Sequence, residues 1–170
     1  MYPIIDNMIE QSNFSRAATA AFTGHRVIDA SQREHVKRRL SKVVVDAYGN
    51  GIRNFISGFA IGFDMMAAEA VVSLKRDHPD IALIAAIPFR GQACRFSFYD
   101  RMRYDRLLEV ADEVMVLYDC YSPRCFLERD EFMVNNASLL IAYYDGRMTG
   151  GTFYTIRKAM VQNIPIVNVY

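Results

Sequence analysis

The sequence predicts a Rossmann-like, three-layer α/β/α domain built on a doubly wound, mostly parallel sheet of about six strands. Short apolar runs alternate along the chain with segments of helical periodicity. Glycine-rich turns follow three of the apolar runs. Residues 81–87 are apolar without a break, which is typical of a central parallel strand that is covered on both faces.

The first half of the chain has the pattern of three strands and two helices. Ser31 and Glu34 are spaced as in a capping box, so they predict the start of the first helix. Small and aliphatic side chains recur at helical spacing in the second helix, and Pro79 ends it. We predict strands at residues 20–23, 54–57 and 81–87 and helices at residues 31–48 and 62–77.

The second half of the chain continues the alternation. Ser122 and Pro123 form an N-cap and first-turn pair, which predicts the start of a helix. Pro165 begins the last apolar run, and a leading proline is tolerated in an edge strand. We predict helices at residues 95–111, 122–136 and 151–162 and strands at residues 113–118, 138–144 and 165–169.

Length and composition predict one domain at residues 20–170, preceded by an N-terminal arm at residues 1–19. The 170 residues are 52% hydrophobic, which suffices for one well-buried core. The arm resembles neither a signal peptide nor a membrane span, so we expect a cytoplasmic protein with no membrane partner. The net charge of +1 excludes a global electrostatic field as the means of binding nucleic acid.

The cysteines predict reduced thiols. Cys94, Cys120 and Cys125 are an odd number, and only the last two are close in sequence. A structural zinc site needs about four ligands at close spacing, and no histidine lies beside this pair. We therefore expect no metal, and no cofactor that is required for folding.

Glycine turns follow the first, second and fifth predicted strands. Gly24 lies in the first turn, Gly58 and Gly62 in the second, and Gly150 and Gly151 in the third. Because the carboxyl ends of parallel strands meet at one edge of a sheet, we expect the three turns to converge there. Backbone N–H groups at such turns bind phosphate or carboxylate groups. The convergence predicts a binding site, although each glycine alone is equally explained by a strand-to-helix turn.

Charged side chains accompany the first two turns. Arg26 is placed as a bidentate anion clamp, and His25 as a hydrogen-bonding or proton-transferring group. An ion pair of Arg26 with Asp29 is the alternative. Asp64, at the start of the second helix, is equally suited to hydrogen-bond a ribose hydroxyl and to complement the helix dipole.

Two further residues are candidate contacts nearer to the end of the chain. Thr152 places a hydroxyl at the start of the last helix, where an N-cap role is the alternative. Arg129 is either a charge at the rim of the site or part of a solvated helix face with Glu128 and Glu131. Its spacing favours the solvated face.

One basic helix and one aromatic helix raise the possibility of a nucleic-acid partner. Residues 33–42 contain six basic side chains, which form either a nucleic-acid patch or an ordinary exposed helix face. The aromatic residues of the third helix are suited to stack on bases, to fill a core or to form a dimer contact. They are Phe96, Phe98, Tyr99 and Tyr104.

Six segments, taken as a set and in this order, resemble the YpsA-like family of the SLOG superfamily over about residues 20–170. They are residues 23–26, residues 57–64, Pro88 and Phe89 with Gln92, residues 103–112, Arg129 with Met133 and Val134, and residues 150–152. The residues that we assign to ligand binding on these grounds are Thr23, Gly24, His25, Arg26, Ser57, Gly58, Ala60, Gly62, Asp64, Pro88, Arg129, Gly150, Gly151 and Thr152.

The resemblance implies a Rossmann-like fold with a pocket for nucleotides or nucleotide-derived ligands. The superfamily includes the DNA-processing protein A family, which binds single-stranded DNA, and the LOG-type phosphoribohydrolases, which cleave nucleoside monophosphates. Residues 57–64 closely resemble the glycine-rich motif of the first family. LOG-type enzymes carry a catalytic glutamate after their Gly-Gly-Thr motif, whereas residues 153–156 contain no acid. Phe96 and Asp130 stand where relatives often carry tryptophan and asparagine.

These observations together predict a domain that binds or senses a nucleotide-like small molecule at the carboxyl edge of the sheet, rather than an enzyme. The alternatives are binding of single-stranded nucleic acid and a nucleotide N-glycosidase or phosphoribohydrolase activity. A hydrolase needs a general acid or base, and the candidates at this edge are His25, Asp64 and Asp145. The apolar closing strand and the aromatic third helix leave room for a homodimer.

Overall fold

A computed structural model describes residues 14–170, in which six strands alternate with five α-helices. The strands are β1 Thr19–Gly24, β2 Asn54–Ser57, β3 Ala82–Phe89, β4 Glu113–Tyr118, β5 Leu139–Tyr143 and β6 Ile166–Asn168. The helices are α1 Arg33–Gly49, α2 Phe63–Lys75, α3 Phe98–Val110, α4 Cys125–Asn135 and α5 Gly150–Val161. Two short 3-10 helices, Arg16–Ala18 and Gln92–Arg95, precede β1 and α3.

The strands form one sheet in the order β4-β3-β2-β1-β5-β6, and all five pairings are parallel. From β1 the chain adds strands outward to β4, then returns to add β5 on the other side of β1. The order therefore reverses between β1 and β5, which makes the gap between their carboxyl ends a topological switch point. The predicted doubly wound, six-stranded α/β fold is confirmed.

Alternate side chains of the strands pack on the two faces of the sheet. Phe22 and Phe55 of β1 and β2 pack with α1, α2 and α3 on one face, with their rings stacked at 5.9 Å. Ala21 and Ile56 point to the opposite face, where they pack with α4 and α5. Burial on both faces explains why the strands are apolar without alternation. The sheet is consequently a rigid base for the loops at its carboxyl edge.

The start of α3 differs from the prediction. The helix predicted from residue 95 begins at Phe98, because Gln92–Arg95 forms a separate 3-10 helix. Ser97 then caps α3, since its hydroxyl accepts a hydrogen bond from the Asp100 N–H at 3.1 Å. The interruption separates the aromatic segment into two parts, only one of which is α-helical.

Two predicted N-caps are also wrong. The Ser31 hydroxyl donates to the Asp29 carboxylate at 2.8 Å, and α1 begins two residues later at Arg33 without a side-chain cap. Helix α4 likewise begins at Cys125 without a side-chain cap, and Ser122 contributes only its backbone carbonyl to the Cys125 N–H. The positions of all five helices nevertheless agree with the predicted alternation.

Part of the predicted N-terminal arm, residues 1–13, lies outside the described residues. Within residues 14–170, no helix is both long enough and apolar enough to cross a membrane. The same part of the chain contains no group of three His, Cys, Asp or Glu side chains that would hold a metal ion.

Candidate functional site

The turn after β1 and the loop after β5 lie side by side at the switch point of the sheet. The His25 N–H donates to the carbonyl of Tyr143, the last residue of β5, at 3.3 Å. The start of α2 joins them, because the Phe63 N–H donates to the His25 carbonyl at 3.2 Å. Three turns from distant parts of the sequence are thereby held together at one edge.

A cleft of about 310 Å³ lies between these three turns and α4, and we call it the switch-point cleft. The structure brings nine of the predicted ligand-binding residues together here, namely Thr23, Gly24, His25, Arg26, Ala60, Asp64, Arg129, Gly151 and Thr152. Three further residues line the cleft, namely Phe22, Phe126 and Asp130.

The remaining five predicted residues do not line this cleft. The Ser57 hydroxyl donates to the Asp64 carbonyl at 3.0 Å, which fixes the start of α2. Pro88 is buried within β3, and Gly150 begins α5 with a φ of 87°. Gly58 allows close approach of the Arg129 guanidinium, and Gly62 allows close approach of the Arg26 backbone.

Gly62 supports the backbone of Arg26. Its φ of 92° lies in the region that favours glycine, and a Cβ atom there would overlap the Arg26 carbonyl. The first turn therefore packs directly on the start of α2. This contact fixes the backbone from which the Arg26 side chain extends into the cleft.

Arg26 is the exposed cation of the cleft. Among the described residues its guanidinium forms no ion pair, and it lies 5.6 Å from the centroid of the Phe126 ring. The alternative pair with Asp29 is not formed, because that carboxylate accepts hydrogen bonds from the Ser31 N–H and hydroxyl. The guanidinium is therefore available to an anion.

The amino end of α5 faces the same cleft. Thr149 is the N-cap residue, and its side chain accepts no capping hydrogen bond. The predicted alternative of a Thr152 cap is wrong, because Thr152 lies within the helix. The first N–H groups of a helix have no partner within the helix. Gly151 and the buried Thr152 line the cleft in this first turn. Such an end, with a nearby hydroxyl, is suited to bind an anion.

Arg129 is buried, so the predicted solvated face is wrong. Only 5% of the residue is exposed. Its Nε donates to Asp130 Oδ1 at 2.8 Å, and its Nη1 donates to the Gly58 carbonyl at 2.6 Å. The guanidinium therefore belongs to a buried charged cluster that consists of Arg129, Asp64 and Asp130.

Burial changes the acidity of both carboxyl groups in this cluster. Loss of hydration raises the pKa of Asp64 to about 7, although the charge of Arg129 opposes the shift. Burial also raises the pKa of Asp130, again against the charge of Arg129. Asp64 can therefore hold or release a proton near neutral pH, which a general acid or base requires.

His25 and Asp145 form a pair at the rim of the cleft. His25 Nε2 lies 2.9 Å from Asp145 Oδ1, and Arg147 Nε lies 2.9 Å from Asp145 Oδ2. The Arg147 N–H donates to this carboxylate and, with the charges of both partners, lowers the pKa of Asp145. Asp145 is therefore a carboxylate at neutral pH and is suited to orient His25.

We expect Gly58→Ala to lower the free energy of unfolding by about 3 kcal/mol, because it displaces a buried ion pair. A Cβ atom at Gly58 would overlap the guanidinium of Arg129 and lie 2.8 Å from Asp64 Oδ2. Gly49→Ala is the matched control, since a Cβ atom there meets nothing within 4 Å. Urea denaturation of both variants measures the difference. Equal stability of the two variants would contradict the close packing at Gly58.

Sequence reasoning did not assign three residues of this region to the site. Asp130 lines the cleft and pairs with Arg129, and Phe126 lies beneath the Arg26 guanidinium. Gln92 donates from Nε2 to the Gly58 carbonyl at 2.9 Å. Gln92 and Asp130 lie within or next to the segments that carry the family resemblance, and this position is the signal that could have identified them as site residues.

A family model named YpsA and described as the YspA SLOG family matches residues 22–165. The chain belongs to this SLOG family. The resemblance inferred from the six sequence segments is therefore confirmed. The matched range contains all five helices, strands β2 to β5 and the last three residues of β1.

Two proteins that are similar to this chain have names that state no activity. The uncharacterized SPbeta prophage-derived protein YoqJ of Bacillus subtilis is 34% identical over 108 residues, which cover 56% of this chain and 63% of YoqJ. A UPF0398 protein of Halalkalibacterium halodurans is 26% identical over 127 residues, which cover 74% of this chain and 67% of the relative. The chain thus spans about two thirds of the length of these relatives.

Two solved structures share the SLOG-type fold. DNA processing protein A of Streptococcus pneumoniae has a TM-score of 0.63 at 16% identity, covering 89% of this chain and 50% of that protein. DNA processing protein A of Helicobacter pylori, described for its single-stranded DNA binding mode, has a TM-score of 0.63 at 18% identity. That match covers 91% of this chain and 65% of the Helicobacter protein. At these identities the likeness shows the fold alone.

Proposed function

We propose that this protein binds a nucleotide or nucleotide-derived ligand, with the phosphate group in the switch-point cleft. The observation that carries the proposal is the position of Arg26. Its guanidinium forms no direct ion pair among the described residues, although its charge acts on Asp64 and Asp130. It lines the same cleft as the amino end of α5, which has no side-chain cap. A cation and a helix amino end that face one cleft are suited to a phosphate group.

Polar groups around this position match a phosphate ester. Thr23 and Thr152 line the cleft, and a hydroxyl group donates to phosphate oxygens. Asp64 of α2 and Asp130 of α4 also line the cleft. A carboxylate accepts hydrogen bonds from ribose hydroxyls, so we assign the sugar to these two residues.

Calorimetric titration with mono-, di- and cyclic nucleotides tests the proposal. We expect Arg26→Ala to weaken binding by about 10-fold to 100-fold, which corresponds to the loss of one charge-assisted hydrogen bond. Arg106→Ala is the matched control, because Arg106 is an exposed arginine of α3 outside the switch-point cleft. Arg26 is also exposed, so neither change should reduce stability appreciably.

Two outcomes would contradict the proposal. One is the absence of binding to any nucleotide by the folded protein. The other is retention on single-stranded DNA with an affinity that falls steeply with salt, which would favour the nucleic-acid alternative. The fold shared with the Helicobacter DNA processing protein A supports that alternative, whereas the net charge of +1 argues against it.

A further inference from the structure

A second cleft of about 530 Å³ adjoins the switch-point cleft. The two clefts share Arg26, Ala60 and Phe126 as lining residues. A single ligand bound beside Arg26 can therefore occupy both clefts. We call the second one the aromatic cleft, because four aromatic side chains line it. They are Phe89, Phe96, Tyr121 and Phe126.

Three of these rings contact one another around Phe89. The Phe89 centroid lies 5.7 Å from that of Tyr121 and 5.9 Å from that of Phe126, with the planes at 74° and 87°. Tyr121 nevertheless remains 62% exposed. Aromatic surface that lines an open, concave region is typical of sites where bases stack.

The aromatic cleft also has one polar group without a partner. Gln92, which is 6% exposed, lines this cleft and donates from Nε2 to the Gly58 carbonyl. Its Oε1 is the one buried side-chain nitrogen or oxygen atom within residues 14–170 that has no hydrogen-bond partner. An amide oxygen accepts hydrogen bonds from amino groups such as those of adenine, guanine and cytosine.

We propose that the aromatic cleft holds the purine base of a nucleotide whose phosphate binds beside Arg26. This inference rests on the proposed function and adds the class of base. Purines offer a larger stacking surface than pyrimidines, and the cleft has the volume typical of small-molecule sites. The shared guanidinium of Arg26, which stacks over Phe126, lies between the two parts of the ligand.

Titration with AMP and ribose 5-phosphate separates the base site from the phosphate site. We expect AMP to bind at least about tenfold more tightly than ribose 5-phosphate, because stacking of one base on an aromatic ring contributes that much affinity. Tyr121→Ala should weaken AMP binding by about tenfold and leave ribose 5-phosphate binding unchanged. Phe98→Ala is the control, because Phe98 is 83% exposed and lies outside the aromatic cleft.

A fluorescence reporter gives a second readout that does not depend on removing a ring. The chain contains no tryptophan, so Phe96→Trp introduces a single reporter in the wall of the aromatic cleft. We expect its emission to fall saturably with AMP but not with ribose 5-phosphate. The same titration of Phe98→Trp should show no saturable change.

The outcomes distinguish the two proposals. Equal affinities for AMP and ribose 5-phosphate, unaffected by Tyr121→Ala, would overturn the base site and leave the phosphate site standing. CMP that binds as tightly as AMP would overturn the assignment to purines. Failure of AMP, of ribose 5-phosphate and of every other nucleotide of the panel to bind would overturn the proposed function and the base site together.

Discussion

Arg129→Met is expected to lower the free energy of unfolding by about 3–5 kcal/mol, the range observed when one partner of a buried ion pair is removed. The change leaves Asp130 without the guanidinium that lies 2.8 Å from its Oδ1. It also removes the charge that opposes the high pKa of Asp64, so both carboxyl groups become costlier to ionise. Urea denaturation at pH 7 measures the effect.

Two comparisons separate the buried pair from the loss of any arginine. Arg124→Met changes an arginine of the same chain segment that is 68% exposed and pairs with Glu128 at 3.6 Å, so its effect should stay below about 1 kcal/mol. Adding Asp130→Asn to Arg129→Met should recover part of the loss, because it removes one unpaired buried charge. Similar losses for Arg124→Met and Arg129→Met would refute the buried cluster.

The second large expected effect is a dependence of the free energy of unfolding on pH, which Asp64 causes. The pKa of Asp64 is about 7 in the folded chain, whereas the ordinary pKa of an aspartate side chain, which we take for the unfolded chain, is 3.8. The folded state therefore binds the proton more tightly, and stability that is fully present below about pH 4 is lost as the pH rises through 7. The full loss amounts to about 4 kcal/mol.

Denaturation curves between pH 5 and pH 8 measure this dependence. Asp64→Asn should flatten the curve, because its side chain is neutral throughout. The slope that remains in this variant includes Asp130, whose pKa burial raises in the same direction. Asp105→Asn, at an exposed site, should leave the slope unchanged. A slope in Asp64→Asn equal to that of the unmodified protein would contradict the high pKa.

Much of the fold follows from local patterns. The sequence predicts strands at residues 54–57 and 113–118, and the structure has both with these bounds. The predicted start of α3 is wrong, although Ser97 and Asp100 have the spacing of a capping pair. The segment Gln92–Arg95 has no local helix breaker, and its separation from α3 coincides with a contact between Gln92 and the distant carbonyl of Gly58.

Only part of the candidate site could likewise be predicted from the sequence. Convergence of the glycine turns could be predicted, since parallel strands bring their carboxyl ends to one edge. Arg129 was assigned to a solvated face because its sequence neighbours Glu128 and Glu131 are acidic. In the structure these glutamates pair elsewhere, with Arg124 and Lys158, while Arg129 contacts Gly58 and Asp130.

The sequence by itself determined the family, the α/β alternation and the edge of the sheet at which the glycine turns meet. These depend on hydrophobic periodicity and on turn residues, which act over a few positions along the chain. Only the tertiary structure decided that Arg129 is buried with two carboxyl groups, that Arg26 forms no direct ion pair among the described residues, and that an aromatic cleft adjoins it. Burial and charge pairing depend on which distant segments pack together, and no local pattern specifies that packing.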